Sequence, residues 1–250
     1  MSTYIWGIAQ QKFEVKAVYN FIKEYYSDWF PDLPSYQAYN KRICYLADAF
    51  KVLAGLLIQE AGVDPEIFTF LLDSLPIIVA GPKRSQTAKA ASDICDKGYC
   101  ASKGLYYYGL KLHFLAQSKT GTLPIPAQMM VTAASVNDLP VGKRMLDGAY
   151  NIEVFADKMY RDHEWSNRMK QENNVTIFTP VKLKKGQRKL AFFDKLHSSA
   201  VSSVRQPIES FFSWLLQKTH IQSASKVRSS QGLCAFIFAR IAFACFCFNY

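Results

Sequence analysis

Glu153-Val154-Phe155-Ala156-Asp157-Lys158-Met159-Tyr160 reads as a short apolar strand that ends on an acid and a base. A carboxylate at the tip of a buried strand is costly to desolvate, and it stays ionised only beside a cation, a metal or water. Asp157 is therefore a functional candidate. The elements on either side decide what the fold brings to it.

Upstream, the hydrophobic pattern predicts a helix over residues 138–146 with Asn137 as its N-cap, preceded by strands over 67–79, 106–115 and 125–132. The three strands form an antiparallel meander. Asp73 interrupts the apolar run of the first, and Pro76 argues against that strand being central and unbroken. The polar, small and basic stretch 81–103 reads as a loop. Downstream, residues 162–172 read as a helix and 175–180 as a fifth strand. A helix follows over 204–219, capped by Ser202 or Ser203, with Pro207 inside its first turn, where proline is tolerated. A last helix covers 231–248.

Ahead of the strands, Phe13, Ala17, Phe21, Tyr25 and Trp29 recur at helical spacing, with helical character starting at about residue 12. Pro31 and Pro34 break the pattern, and Ser35 caps a helix over 36–57. Gly62 and Pro65 close this block. The expected division is a helical N-terminal segment, 1–64, and a domain, 65–250. Three antiparallel strands followed by alternating helices and strands give an α/β, ribonuclease-H-like mixed sheet. In that order the first and fourth strands lie side by side, which brings Asp73 to Asp157.

A chain of 250 residues, half hydrophobic and a fifth charged, is long enough to bury a real core. Its net charge of +10 and pI near 9.2 point to a polyanionic partner, nucleic acid first and an anionic membrane surface second. Six cysteines without a leader argue against a disulfide scaffold, and Cys95 and Cys100 lack the second pair that zinc would need. Residues 233–250 are the membrane candidate, but Arg240 lies in their middle, so a buried terminal helix in a cytoplasmic, nucleoid-associated protein is expected. A Gly-rich phosphate loop is lacking, which speaks against ATP-driven work.

Two carboxylates at adjacent strand tips repel and ionise together only around a cation. Mg2+ suits them because it prefers hard oxygen ligands. Glu209 offers a third carboxylate, one helical turn after Arg205 and on the same side, while Ile208, Phe211, Phe212 and Leu215 make the core face. Such a set holds two ions that activate a water or a sugar 3′-hydroxyl and stabilise the leaving oxygen in an in-line attack on phosphorus.

The segments Leu72-Asp73-Ser74-Leu75-Pro76, Tyr108-Gly109-Leu110-Lys111-Leu112-His113, Phe155-Ala156-Asp157-Lys158-Met159-Tyr160 and Arg205-Gln206-Pro207-Ile208-Glu209 resemble the DDE transposases of bacterial insertion sequences. The resemblance spans about residues 65–248. It implies a ribonuclease-H-like catalytic core, Mg2+-dependent DNA strand cleavage and strand transfer with Mn2+ as a substitute ion, and a homo-oligomer on double-stranded DNA, both element ends and target. Carried over, Asp73, Asp157 and Glu209 are the catalytic, metal-binding triad. Lys111 and His113 match a Lys-x-His beside the site, and Arg205 an arginine ahead of the glutamate; with Lys158 they orient phosphate. Lys182, Lys184, Lys185, Arg188 and Lys189 form a basic DNA-contact stretch.

Many relatives have a tyrosine three residues before that arginine and a lysine seven after the glutamate, where this chain has Ser202 and Leu216. They also carry more chain ahead of the core, so a shortened N-terminus, the remnant of a DNA-binding region, is expected. Two other readings stay open: a ribonuclease-H-like nuclease without strand transfer, and an inactive DNA-binding remnant of a mobile element.

Overall fold

Strand β1 (Thr69–Ala80) is the spine of a mixed sheet. It pairs antiparallel with β3 (Leu105–Gln117) from Phe70 to Ala80, with a register shift after Ile78, and parallel with β5 (Glu153–Ala156) over Thr69–Leu72. β5 in turn pairs parallel with β6 (Thr176–Phe178). The outer edge of β3 takes β2 (Asp96–Cys100) against its first residues and β4 (Ile125–Ala133) against the rest. Gly109 stands where β3 passes from one partner to the other, and a Cβ there would meet the Ile77 carbonyl oxygen at 2.0 Å. The structure, a computed structural model, describes every residue except Ser102, Lys184, Lys185, Arg188, Tyr250 and the side chain of Asn249. It is an α/β fold compatible with the ribonuclease-H-like order, preceded by helices.

Two strand expectations need correction. β1 runs unbroken through Pro76, whose carbonyl accepts from Gln222 Nε2 at 3.1 Å on the side away from β3. The missing N–H therefore falls on an edge that β5 has already left, where proline costs no ladder bond. The stretch read as a loop contains β2, a mostly polar edge strand whose membership comes from backbone pairing to β3.

Alternation along the strands makes two faces. Leu71, Leu75, Ile77, Leu110, Leu112 and Phe114 join the core under α7 (Phe192–Thr219) and α8 (Ser230–Asn249). Phe70, Leu72, Leu115, Val154 and Ala156 join a second core with α5 (Asp138–Met145) and α6 (His163–Asn173). The Asn137 side chain caps α5, as expected, accepting from the Leu139 amide. α7 begins twelve residues earlier than expected, so Ser202 and Ser203 are interior and Pro207 lies deep within the helix. There the proline removes only the bond to the Ser203 carbonyl, a loss that the packed residues after it outweigh.

The N-terminal helices α1 (Ser2–Ala9), α3 (Tyr36–Tyr45) and α4 (Ala47–Ala61) pack on α8 and share its core, while α2 (Val15–Tyr25) lies against α1 and α3. α1 precedes the point where helical character was expected to start. The single helix expected over 36–57 is two, divided at Leu46 (φ −85°, ψ 10°). Ser35 caps α3 through the Ala38 amide. The α4–β1 connection is tied to the sheet by Gln117, which accepts from the Asp64 amide and donates to the Asp64 and Ile67 carbonyls. α8 is long and apolar enough to cross a membrane by length and composition, but two-thirds of it is buried and Arg240 is wholly enclosed at its centre.

Candidate active site

The parallel register of β1 and β5 ends at Leu72 opposite Ala156, so the next residue on each strand is an aspartate. Asp73 and Asp157 thus stand side by side, on the face covered by α7. Each is held by the amide that follows it: Ser74 donates to Asp73 Oδ1 at 2.8 Å, and Lys158 to Asp157 Oδ1 at 2.6 Å. Asp157 also opens the short 3-10 turn Lys158–Tyr160.

α7 supplies the third carboxylate. Ile208, Phe211, Phe212 and Leu215 are buried against the sheet, and this turns Arg205 and Glu209 toward the strand tips. The Arg205 guanidinium sits among all three acids. Its Nη2 donates to Asp73 Oδ2 at 3.3 Å and to Glu209 Oε1 at 2.9 Å, and its Nη1 lies 3.9 Å from Asp157 Oδ1. Side-chain exposure rises from 12% at Arg205 and 17% at Asp73 to 35% at Asp157 and 62% at Glu209, so the guanidinium is the floor of the site and Glu209 its rim. Burial pushes the Asp73 carboxyl up to about 7, against the pull of Arg205 and the Ser74 amide, and Asp157 and Asp138 add to the rise.

Among the described residues, no three His, Cys, Asp or Glu side chains form a ready-made metal cage. The triad converges instead on a guanidinium. Its donors are hard carboxylate oxygens around a position that already holds a cation, and in that respect they fit Mg2+ or Mn2+.

Lys111 and His113 lie on the opposite face of the sheet, because β3 pairs Phe114 with Asp73 and alternation turns its odd-numbered neighbours away. Lys111 Nζ donates to Asp138 Oδ1 at 2.9 Å and to the Val136 carbonyl at 2.7 Å. His113 is fully buried, with Nε2 bonded to Thr132 Oγ1 at 2.9 Å and Nδ1 4.0 Å from Asp138 Oδ1. Burial pushes its pKa down to about 4, so the imidazole is neutral. Lys158 is exposed beside Asp157, and Lys182 and Lys189 are exposed beyond β6. Lys184, Lys185 and Arg188 lie outside the described residues.

Two members of this neighbourhood were given no role in the sequence reading. Asp138 is the partner of Lys111 and raises the pKa of Asp73 from behind the sheet. The Tyr160 ring is buried, and its ionisation is suppressed first by burial and then by Asp138, Asp73 and Asp157. The sequence signal for Asp138 is its place directly after the Asn137 cap, where an acid reads as ordinary first-turn chemistry. Residues 69–246 match the family model described as transposase DDE domain. No curated protein and no solved structure matches the chain.

Proposed function

The chain belongs to the transposase DDE domain family, and from that premise we propose that it cuts DNA strands at the ends of a mobile element and joins them to a target. The observation that carries this reading is the convergence of Asp73, Asp157 and Glu209, from two strands and a helix, on a single cationic position. These three residues would hold Mg2+, or Mn2+ in its place. When bound there, the ion would supply activation of a water or 3′-hydroxyl and stabilisation of the leaving oxygen.

The remaining roles follow from what the chain's own side chains do. Arg205 and the exposed Lys158 present donors to phosphate oxygens at the strand tips. Lys182 and Lys189 extend the basic surface that draws DNA in, with a salt-dependent affinity. Lys111 and His113, expected to orient phosphate, are assigned a supporting role instead: a fully buried imidazole offers no surface to a phosphate, and Lys111 is committed to Asp138. Two copies bridging the two element ends would give the oligomer that strand joining requires.

The test is the purified 250-residue chain incubated with labelled duplexes carrying the element ends, with and without Mg2+. Metal-dependent cleaved and joined products are expected, with product lost in Asp157→Asn. Full activity in that variant would overturn the reading. Hydrolysis without joining would make the protein a nuclease, and tight binding without any product would make it a DNA-binding remnant.

A further inference from the structure

Carboxylates at adjacent strand tips repel, and the Ser74 and Lys158 amides that hold Asp73 and Asp157 offset only part of that repulsion. Arg205 removes much of it. One planar guanidinium, permanently charged, reaches Asp73 and Glu209 through Nη2 and approaches Asp157 through Nη1. The pose is incomplete at the other end of the group, where Nε is buried without a hydrogen-bond partner among the described residues. An orphaned buried donor is costly, so the guanidinium is held where it is by the three acids and not by a cage of its own. Three carboxylates against one guanidinium still leave the site negative, which favours entry of a dication.

We propose that Arg205 is an internal stand-in for the metal: it holds Asp73, Asp157 and Glu209 together while no ion is bound, and it must leave them for an ion to enter. The inference rests on the metal-binding role assigned to the triad above. Arg205 is suited to the exchange because its long side chain springs from α7 one turn before Glu209, so it can withdraw without moving the helix. Once a dication takes the carboxylate oxygens, the donors of Arg205 are released beside the ion, where a phosphodiester oxygen can accept them. Metal entry would thereby deliver a phosphate-binding group to the substrate.

An ordinary structural ion pair and a stand-in respond oppositely to removal of the arginine. The measurement is Mn2+ binding to the 250-residue chain without DNA, by calorimetry and by the loss of the free-ion paramagnetic signal, beside thermal melts in chelator. Arg205→Met is expected to bind Mn2+ about tenfold or more tightly than wild type, since a unit charge 2.9 to 3.9 Å from the carboxylate oxygens is removed. It should also melt lower than wild type in chelator and regain the difference as Mn2+ is added. Arg205→Lys keeps the charge without the fork and should fall between the two; it carries the test if Arg205→Met fails to fold. Unchanged or weaker Mn2+ binding in a folded variant would overturn the inference alone. Equal Mn2+ binding by wild type and Asp157→Asn would remove the triad reading, and the inference with it.

Discussion

His113 is a neutral imidazole with no exposed surface, set between the Thr132 hydroxyl and the carboxylate of Asp138. The unfolded chain takes up the corresponding proton near pH 6.5 and the folded chain only near 4. Between those values the unfolded state binds more protons, so stability rises with pH there. The contribution of His113 is complete above pH 6.5 and is lost as the pH falls toward 4. Urea unfolding across this window should show a decline on the order of 3 kcal/mol at most from this residue. His113→Gln, which can still bond Thr132, should flatten it. A slope unchanged in the variant would assign the acid sensitivity to the carboxylates instead.

At the level of elements, the site depends on how closely α5 approaches the turn after β5. A Cβ on Gly142 would lie 2.6 Å from Tyr160 Cδ1 and 3.2 Å from Leu72 Cδ2, and the Tyr160 ring is enclosed and cannot yield. Gly142→Ala is therefore expected to cost about 1–3 kcal/mol in thermal unfolding, as overpacking does. It should also slow the proposed DNA cutting, because the turn that must shift is the one that Asp157 opens. A wild-type melting temperature in this variant would mean that the turn moves freely. α7 shows the converse relation between element and sequence: its buried stripe from Ile208 to Leu215 is plain in the spacing, whereas its start at Phe192 is not, since Phe192, Phe193 and Leu196 are exposed and pack on little.

Across the whole molecule, Arg240 joins parts of the chain that are far apart in sequence. From the centre of α8 it donates to the Tyr4 hydroxyl at 2.9 Å, to the Thr219 carbonyl at 2.9 Å and to the Phe13 carbonyl, and it stacks over the Phe236 ring at 3.5 Å. The N-terminal helices, the end of α7 and α8 thus meet on one buried cation. Arg240→Met would leave those acceptors without donors inside a closed core. A loss of about 3 kcal/mol or more in chemical unfolding is expected, partly offset by no longer burying a charge. Unchanged stability would show that water replaces the guanidinium.

Sequence alone determined the order of strands and helices from β3 onward and the core stripe of α7, because each is written in local periodicity. Strand order in turn set the first strand beside the fourth and so brought Asp73 toward Asp157, and the parallel register that ends at Leu72 and Ala156 makes the two immediate neighbours. Tertiary structure decided the rest. β2 belongs to the sheet through backbone bonds that its side chains do not announce, and Pro76 is tolerated only because β5 stops short of it. Lys111 and His113 turn away from Asp73 through strand register, and Asp138 becomes their partner only when α5 packs behind the sheet. Above all, the meeting of Arg205 with three carboxylates from three elements is a fact of distance. Periodicity reports which way a side chain faces along its own element, and charge interactions depend on what it meets across space.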